Sequence, residues 1–222
     1  MRTLAETKKA IGNAMKKRLD TLPILHLASK KVSTKMRFEG VHESGTEIMF
    51  GCADVVGGRP PGHYGLYWLL SLSRGPIYQA MVDTGLDACK SYFGDVFFAV
   101  TSHNFIKPSH HEIGPDTDPD LLAASVCDQI ERIGLPLATA FTVDYNAGID
   151  LVLADHPGRA RNPFTTAVIL SHLAKRTDRI DELVAVAPSK PFFYDFAACA
   201  DPAKLIIAPI AEWMRTKGPS AR

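Results

Sequence analysis

Three strand-like segments follow one another over residues 24–32, 35–41 and 46–56, with almost no chain between them. The connections are short turn signals, Ser33-Thr34 and Glu43-Ser44-Gly45. Linkers of this length allow antiparallel neighbours only, because a parallel partner needs a crossover of roughly a dozen residues or more. Met36 and Phe38, then Ile48 and Phe50, alternate with polar neighbours. That period of two belongs to a sheet with one face buried. An antiparallel meander early in the chain therefore limits the folds open to everything that follows.

Ahead of the meander, Thr3-Leu4-Ala5-Glu6 reads as a capping box, in which the hydroxyl and the carboxylate each satisfy a free backbone donor. Leu4, Ile11, Met15 and Leu19 recur at helical spacing, which predicts a helix over 4–19. The glycines and prolines of GGRPPGHYG (57–65) close the first half. Residues 64–72 fit a strand or a helix equally. Pro76 opens a helix with Ile77, Met81, Ala88 and Tyr92 on one face and Gly94 as its stop. The apolar run DVFFAVT (95–101) reads as a central strand.

Asp118-Pro119 starts a helix expected to end at Gly134 and Pro136. Two further strands, 137–144 and 149–154, are expected around a turn at Tyr145-Asn146-Ala147-Gly148. The last third reads as helices over 163–175, 178–187 and 202–216, with Pro209 kinking or splitting the final one. The result is an α+β chain with an N-terminal helix, a largely antiparallel sheet from the early strands and a mostly helical C-terminal third. A single domain over 1–222 is expected, with room for a helical subdomain from about residue 160.

Composition bounds the function classes. A hydrophobic content of 46% and a charged content of 22% are those of a chain able to bury a core. The apolar runs at 66–72 and 205–214 fall short of the ~18 residues a membrane span needs. The N-terminus has no apolar signal-peptide core. The four cysteines form no CxxC pair, against a thiolate zinc site and in keeping with reduced thiols in the cytoplasm. The net charge of +1 conceals ten Lys/Arg and three acids within residues 1–40, leaving fifteen basic and twenty-one acidic residues beyond. Lys8, Lys16 and Lys17 on the first helix could meet an acidic partner or a phosphate backbone, although the near-neutral whole speaks against nucleic acid.

The densest chemistry lies in 101–120, TSHNFIKPSHHEIGPDTDPD. His103, His110 and His111 are candidate ligands for a divalent metal, with Glu112 or Asp116 as a further ligand or general base, the layout of a metal-dependent hydrolase. Adjacent His110 and His111 must point to opposite faces of a strand, so they cannot share one metal easily. Asp116, Asp118 and Asp120 resemble the start of a calcium loop, but the sixth position is Leu121 and the twelfth Cys127, which rejects the motif. Arg159 and Arg161 precede a helix start and suit an anion. Phe192, Phe193 and Tyr194 sit among prolines as candidate interface anchors. Cys89 and Cys127 lack any nucleophile motif around them, and there is no GxSxG or HExxH. The leading expectation is a non-catalytic protein-binding module of the immunity, chaperone or adaptor kind, with another protein as partner. The metal-dependent hydrolase comes second and nucleic-acid binding through the basic N-terminus third.

Overall fold

The computed structural model of the protein describes residues 2–33, 35–55, 60–83, 95–105, 110–154, 159–160, 163–186 and 208–217. It is an α+β fold with an N-terminal helix, an early antiparallel sheet and a helical C-terminal part. Among the described residues the strands are β1 (Lys30–Ser33), β2 (Arg37–Val41), β3 (Thr46–Val55), β4 (Tyr64–Arg74), β5 (Val96–Thr101), β6 (His111–Ile113) and β7 (Arg159–Ala160). They follow the order β1-β2-β3-β4-β5-β7, and β6 pairs with β4. Among the described residues no helix is long and apolar enough to cross a membrane. The chain packs as two compact units, one of Met1–Leu72 with Ala99–Ala138 and one of Ser73–Phe98 with Thr139–Arg222.

In the first unit, helix α1 (Leu4–Leu19) begins at the expected capping box: the Thr3 backbone N–H donates to Glu6 Oε2 at 2.7 Å and the Glu6 N–H to Thr3 Oγ1 at 3.3 Å. Ile11, Met15 and Leu19 are fully buried, whereas Leu4 lies exposed at the open end. The meander forms with Phe38 opposite Phe50 and Gly40 opposite Ile48. Its first segment is corrected: residues Pro23–Leu27 form a 3₁₀ turn, and β1 starts only at Lys30. Pro23 supplies a fixed φ and no N–H, which suits a turn start better than a strand interior. β4 is a strand, and its alternation explains why: Leu66, Trp68, Leu70 and Leu72 are wholly buried, while Tyr67, Leu69, Ser71 and Ser73 are half-buried.

The expected stop at Gly134-Pro136 and the strand over 137–144 are both overturned. Helix α3 (Pro119–Gln129) passes through a π turn at Ile130–Gly134 into helix α4 (Leu135–Thr142). Pro136 has no N–H for the carbonyl four residues earlier, and the wider turn, with the Leu135 N–H on the Ile130 carbonyl, absorbs that mismatch. Gly134 is needed for closeness: a Cβ there would stand 2.4 Å from Phe50 Cε1. At the head of α3, Asp118 caps as its sequence position suggests, accepting from the N–H groups of Asp120 at 2.9 Å and Leu121 at 3.1 Å.

In the second unit the expected strand 149–154 is instead helix α5 (Tyr145–Leu153). Asp144 caps it, accepting from the Ala147 N–H at 3.2 Å, so the residues that read as a turn are its first turn. Gly148 lets it approach closely, since a Cβ would meet the Ala140 carbonyl oxygen at 2.6 Å. Helix α6 (Pro163–Leu173) is the centre of this unit, with residues 164–171 all buried. Around it pack α2 (Gly75–Asp83), α5, α7 (Thr177–Val186) and α8 (Ala208–Lys217). Pro209 lies in the first turn of α8, where a missing N–H costs nothing. Arg179 ties α7 to α5 through Asp150 at 2.9 Å and also pairs with Glu182 at 2.7 Å. Ala88, Tyr92 and Gly94, and the start expected for the last helix at 202, lie outside the described residues.

Candidate functional site

The His-rich stretch acquires its geometry from strand pairing in the first unit. β6 runs antiparallel to β4 with Ile113 opposite Tyr64, Glu112 opposite Gly65 and His111 opposite Leu66. Opposed residues share a face of the sheet. Leu66 points with Trp68 to the inner face, where the Trp68 indole donates to Gln129 Oε1 of α3 at 2.9 Å. His111 joins them. Its Nε2 is buried without a hydrogen-bond partner. Burial pushes the imidazole below its usual pKa, Gln129 acts in the opposite direction, and His110 adds to the depression.

His110 and Glu112 turn the other way. On the outer face His110 Nε2 donates to Glu112 Oε1 at 2.6 Å. Tyr67 of β4 stands on this face, and the His103 ring rests on it with centroids 4.4 Å apart. His103 reaches it from the 3₁₀ turn Ser102–Asn104 that follows β5. Two residues later Phe105 stacks on Trp68 at 6.1 Å with ring planes 8° apart. The turn thus grips β4 from both sides, His103 outside and Phe105 inside. His63 completes the outer row. Its Nε2 lies 2.7 Å from where a Cβ on Gly114 would stand, so its ring covers Gly114, one step beyond Glu112 on the same face.

One outer surface therefore gathers His63, Tyr67, His103, His110 and Glu112, while His111 belongs to the core side. The separation of His110 from His111 is the one their adjacency requires. Asp116 is exposed in the turn beyond Gly114. Among the described residues no three His, Cys, Asp or Glu side chains are grouped to hold a metal ion.

The remaining candidates scatter. Lys8 pairs with Asp54 at 2.7 Å and lies 4.6 Å from the centroid of the Tyr64 ring. Lys16 and Lys17 are exposed in the last turn of α1, where the helix dipole favours cations. Arg159 opens β7; its side chain, Arg161, Phe192, Phe193 and Tyr194 lie outside the described residues. Burial pushes the Cys127 thiol up to about 11 and that of Cys52 higher still, so both stay protonated at neutral pH and are poor nucleophiles. Sequence reasoning missed His63, Tyr67 and Gln129 as site residues. The available signal was the spacing of two that joins His63, Gly65 and Tyr67 on one strand and His110, Glu112 and Gly114 on the other. Compared with known protein families, curated proteins and solved structures, the chain matches none of them.

Proposed function

We propose that this chain is a non-catalytic protein-binding module, and that the outer face of the β4–β6 corner is its docking surface. The observation that carries the reading is the contrast along β4. Its inner residues are wholly buried, with Trp68 bonded to Gln129 of α3, while Tyr67 and Leu69 remain half-buried on the other side. A tyrosine offers a large apolar ring with a polar handle, the combination enriched where proteins meet. His103, His110 and Glu112 surround it with groups able to donate and accept hydrogen bonds, which supports a polar rim around an aromatic anchor.

The test compares affinity-tagged protein with the Tyr67→Ser/Leu69→Ser double variant. Proteins retained by each are quantified by mass spectrometry, and thermal unfolding is followed in parallel. The expected result is a protein held stoichiometrically by the original chain and reduced at least tenfold by the variant, which still unfolds cooperatively. Identical retention by the two proteins would remove the outer face from consideration.

A further inference from the structure

On residues other than those of the β4–β6 corner, we propose that the exposed side of α1, with Lys35 laid across it, is a second docking site whose partner is a short acidic segment of another protein. Helical spacing fixes the row. Lys9, Asn13, Lys16 and Lys17 stand at i, i+4, i+7 and i+8, so they share one side of α1, and all four are exposed. On the opposite side Ile11, Met15 and Leu19 are fully buried. Lys9 and Lys16 are two turns apart, roughly 10.5 Å along the axis. Between them lies Gly12. A Cβ there would stand 3.3 Å from Lys35 Cβ and 3.6 Å from its Cδ, so the lysine stem crosses the helix at that point. Lys35 is itself exposed, and a stem laid on a surface leaves its ammonium in water. Glycine inside a helix is costly against alanine. Here it makes the room that seats a further cation beside the row.

These cations are left for a partner. Lys8 is taken by Asp54 at 2.7 Å, whereas Lys9, Lys16, Lys17 and Lys35 have no carboxylate partner among the described residues. Glu6 is engaged in the capping box, and Asp128 of α3, the helix packed on α1, faces Arg132 at 3.6 Å. Charge complementarity therefore selects an anion, and the rest of the chain selects its size. Beyond residue 40 stand fifteen basic and twenty-one acidic residues. A duplex or an anionic bilayer spreads past one helix and meets that acidic body. A bilayer would also call for an apolar side to insert, and that side of α1 is buried. A short segment touches the row alone. Carboxylates three residues apart on an extended chain lie ~10 Å apart, close to the separation of Lys9 and Lys16.

The experiment titrates a fluorescein-labelled peptide, with Glu at every third position among Ser and Gly, with the full chain. Fluorescence anisotropy follows it at neutral pH in ~50 mM and ~300 mM salt. The expected result is saturable binding that weakens at the higher salt. It should weaken about fivefold or more in Lys9→Gln/Lys16→Gln and less than about twofold in Arg132→Gln/Lys175→Gln, which removes the same charge elsewhere. Lys35→Met keeps a stem on Gly12 without the charge and should still weaken binding about twofold or more. Circular dichroism verifies that each variant is folded. No saturable binding, binding indifferent to salt, or equal losses in the two paired variants would remove the site. Tighter binding of duplex DNA or of phosphatidylserine vesicles, lost in Lys9→Gln/Lys16→Gln, would overturn the acidic segment as its occupant.

Discussion

The two faces of the β4–β6 ladder use the same chemistry to opposite ends. His110 and His111 are neighbours in sequence, yet one pairs with a carboxylate on the outer face and the other is pressed beside Trp68 and Gln129 on the inner one. On the inner face polar atoms are buried: the Trp68 indole is matched by Gln129, whereas His111 Nε2 has no partner and carries the cost of its burial. On the outer face Tyr67 and Leu69 stay half-buried and Glu112 is exposed, so their polar groups can be satisfied by water. A period of two is enough to divide one strand between a fully buried face and a partly exposed one.

The comparison is broken most forcefully from inside. Trp68→Ala should cost about 3–5 kcal/mol, the range for deleting a fully buried aromatic side chain, since the ring is wholly enclosed and stacked on Phe105. Trp68→Phe keeps a ring in place and removes the indole donor from Gln129, which should cost about 1–3 kcal/mol. Urea unfolding followed by circular dichroism measures both. A Trp68→Ala variant as stable as the original would mean that the inner face is not a sealed core.

Gly134→Ala examines the same packing from the helix side. Alanine favours a helix over glycine by about 1 kcal/mol, but the new Cβ would stand 2.4 Å from Phe50 Cε1, and that ring is fully buried. Overpacking of this kind should dominate and leave a net loss of about 1–3 kcal/mol. Phe50→Leu in the same chain should restore part of it, a coupling that a double-mutant cycle reads directly. Stabilisation by Gly134→Ala alone would contradict the close approach of the π turn to β3.

The same residue shows what was legible in the sequence. The meander could be read because Phe38 and Ile48 alternate over several residues and short turns leave no topological choice. Gly134 and Pro136 misled because local rules treat them as punctuation, while here the glycine answers a distant ring and the proline is accommodated by a π turn. Asp144 carried the correct signal, an N-cap, but the β-like run after it masked the helix of 145–153. For the site, the adjacency of His110 and His111 was sufficient to separate them. Their pairing with β4 was not recoverable, because a strand of three residues has too few positions to display a pattern. Tyr67 and His63 went unrecognised for that reason.

Protonation sharpens the division between the faces. The folded-state pKa of His111 is lowered from 6.5, chiefly by burial. Below that value the unfolded chain binds a proton that the folded chain resists, so this residue's contribution to stability is present at neutral pH and lost as pH falls through the unfolded value towards the folded one. Unfolding free energies measured from about pH 7.5 to about pH 5.5 should therefore decline more in the original chain than in His111→Gln. Parallel declines would show that His111 takes up its proton as readily folded as unfolded.

The smallest effects belong to the outer face, and their smallness is the point. Tyr67→Ser removes a half-buried ring and its tilted contact with His103, and His110→Gln removes a hydrogen bond whose Glu112 partner is 56% exposed. Exposed pairs contribute about 0–1 kcal/mol, and a ring already partly wet loses only part of its burial. Each change should lower stability by no more than about 1 kcal/mol, a third or less of the cost at Trp68 one residue away. A loss at Tyr67 equal to that at Trp68 would make the outer face a second core and remove the contrast between the two faces.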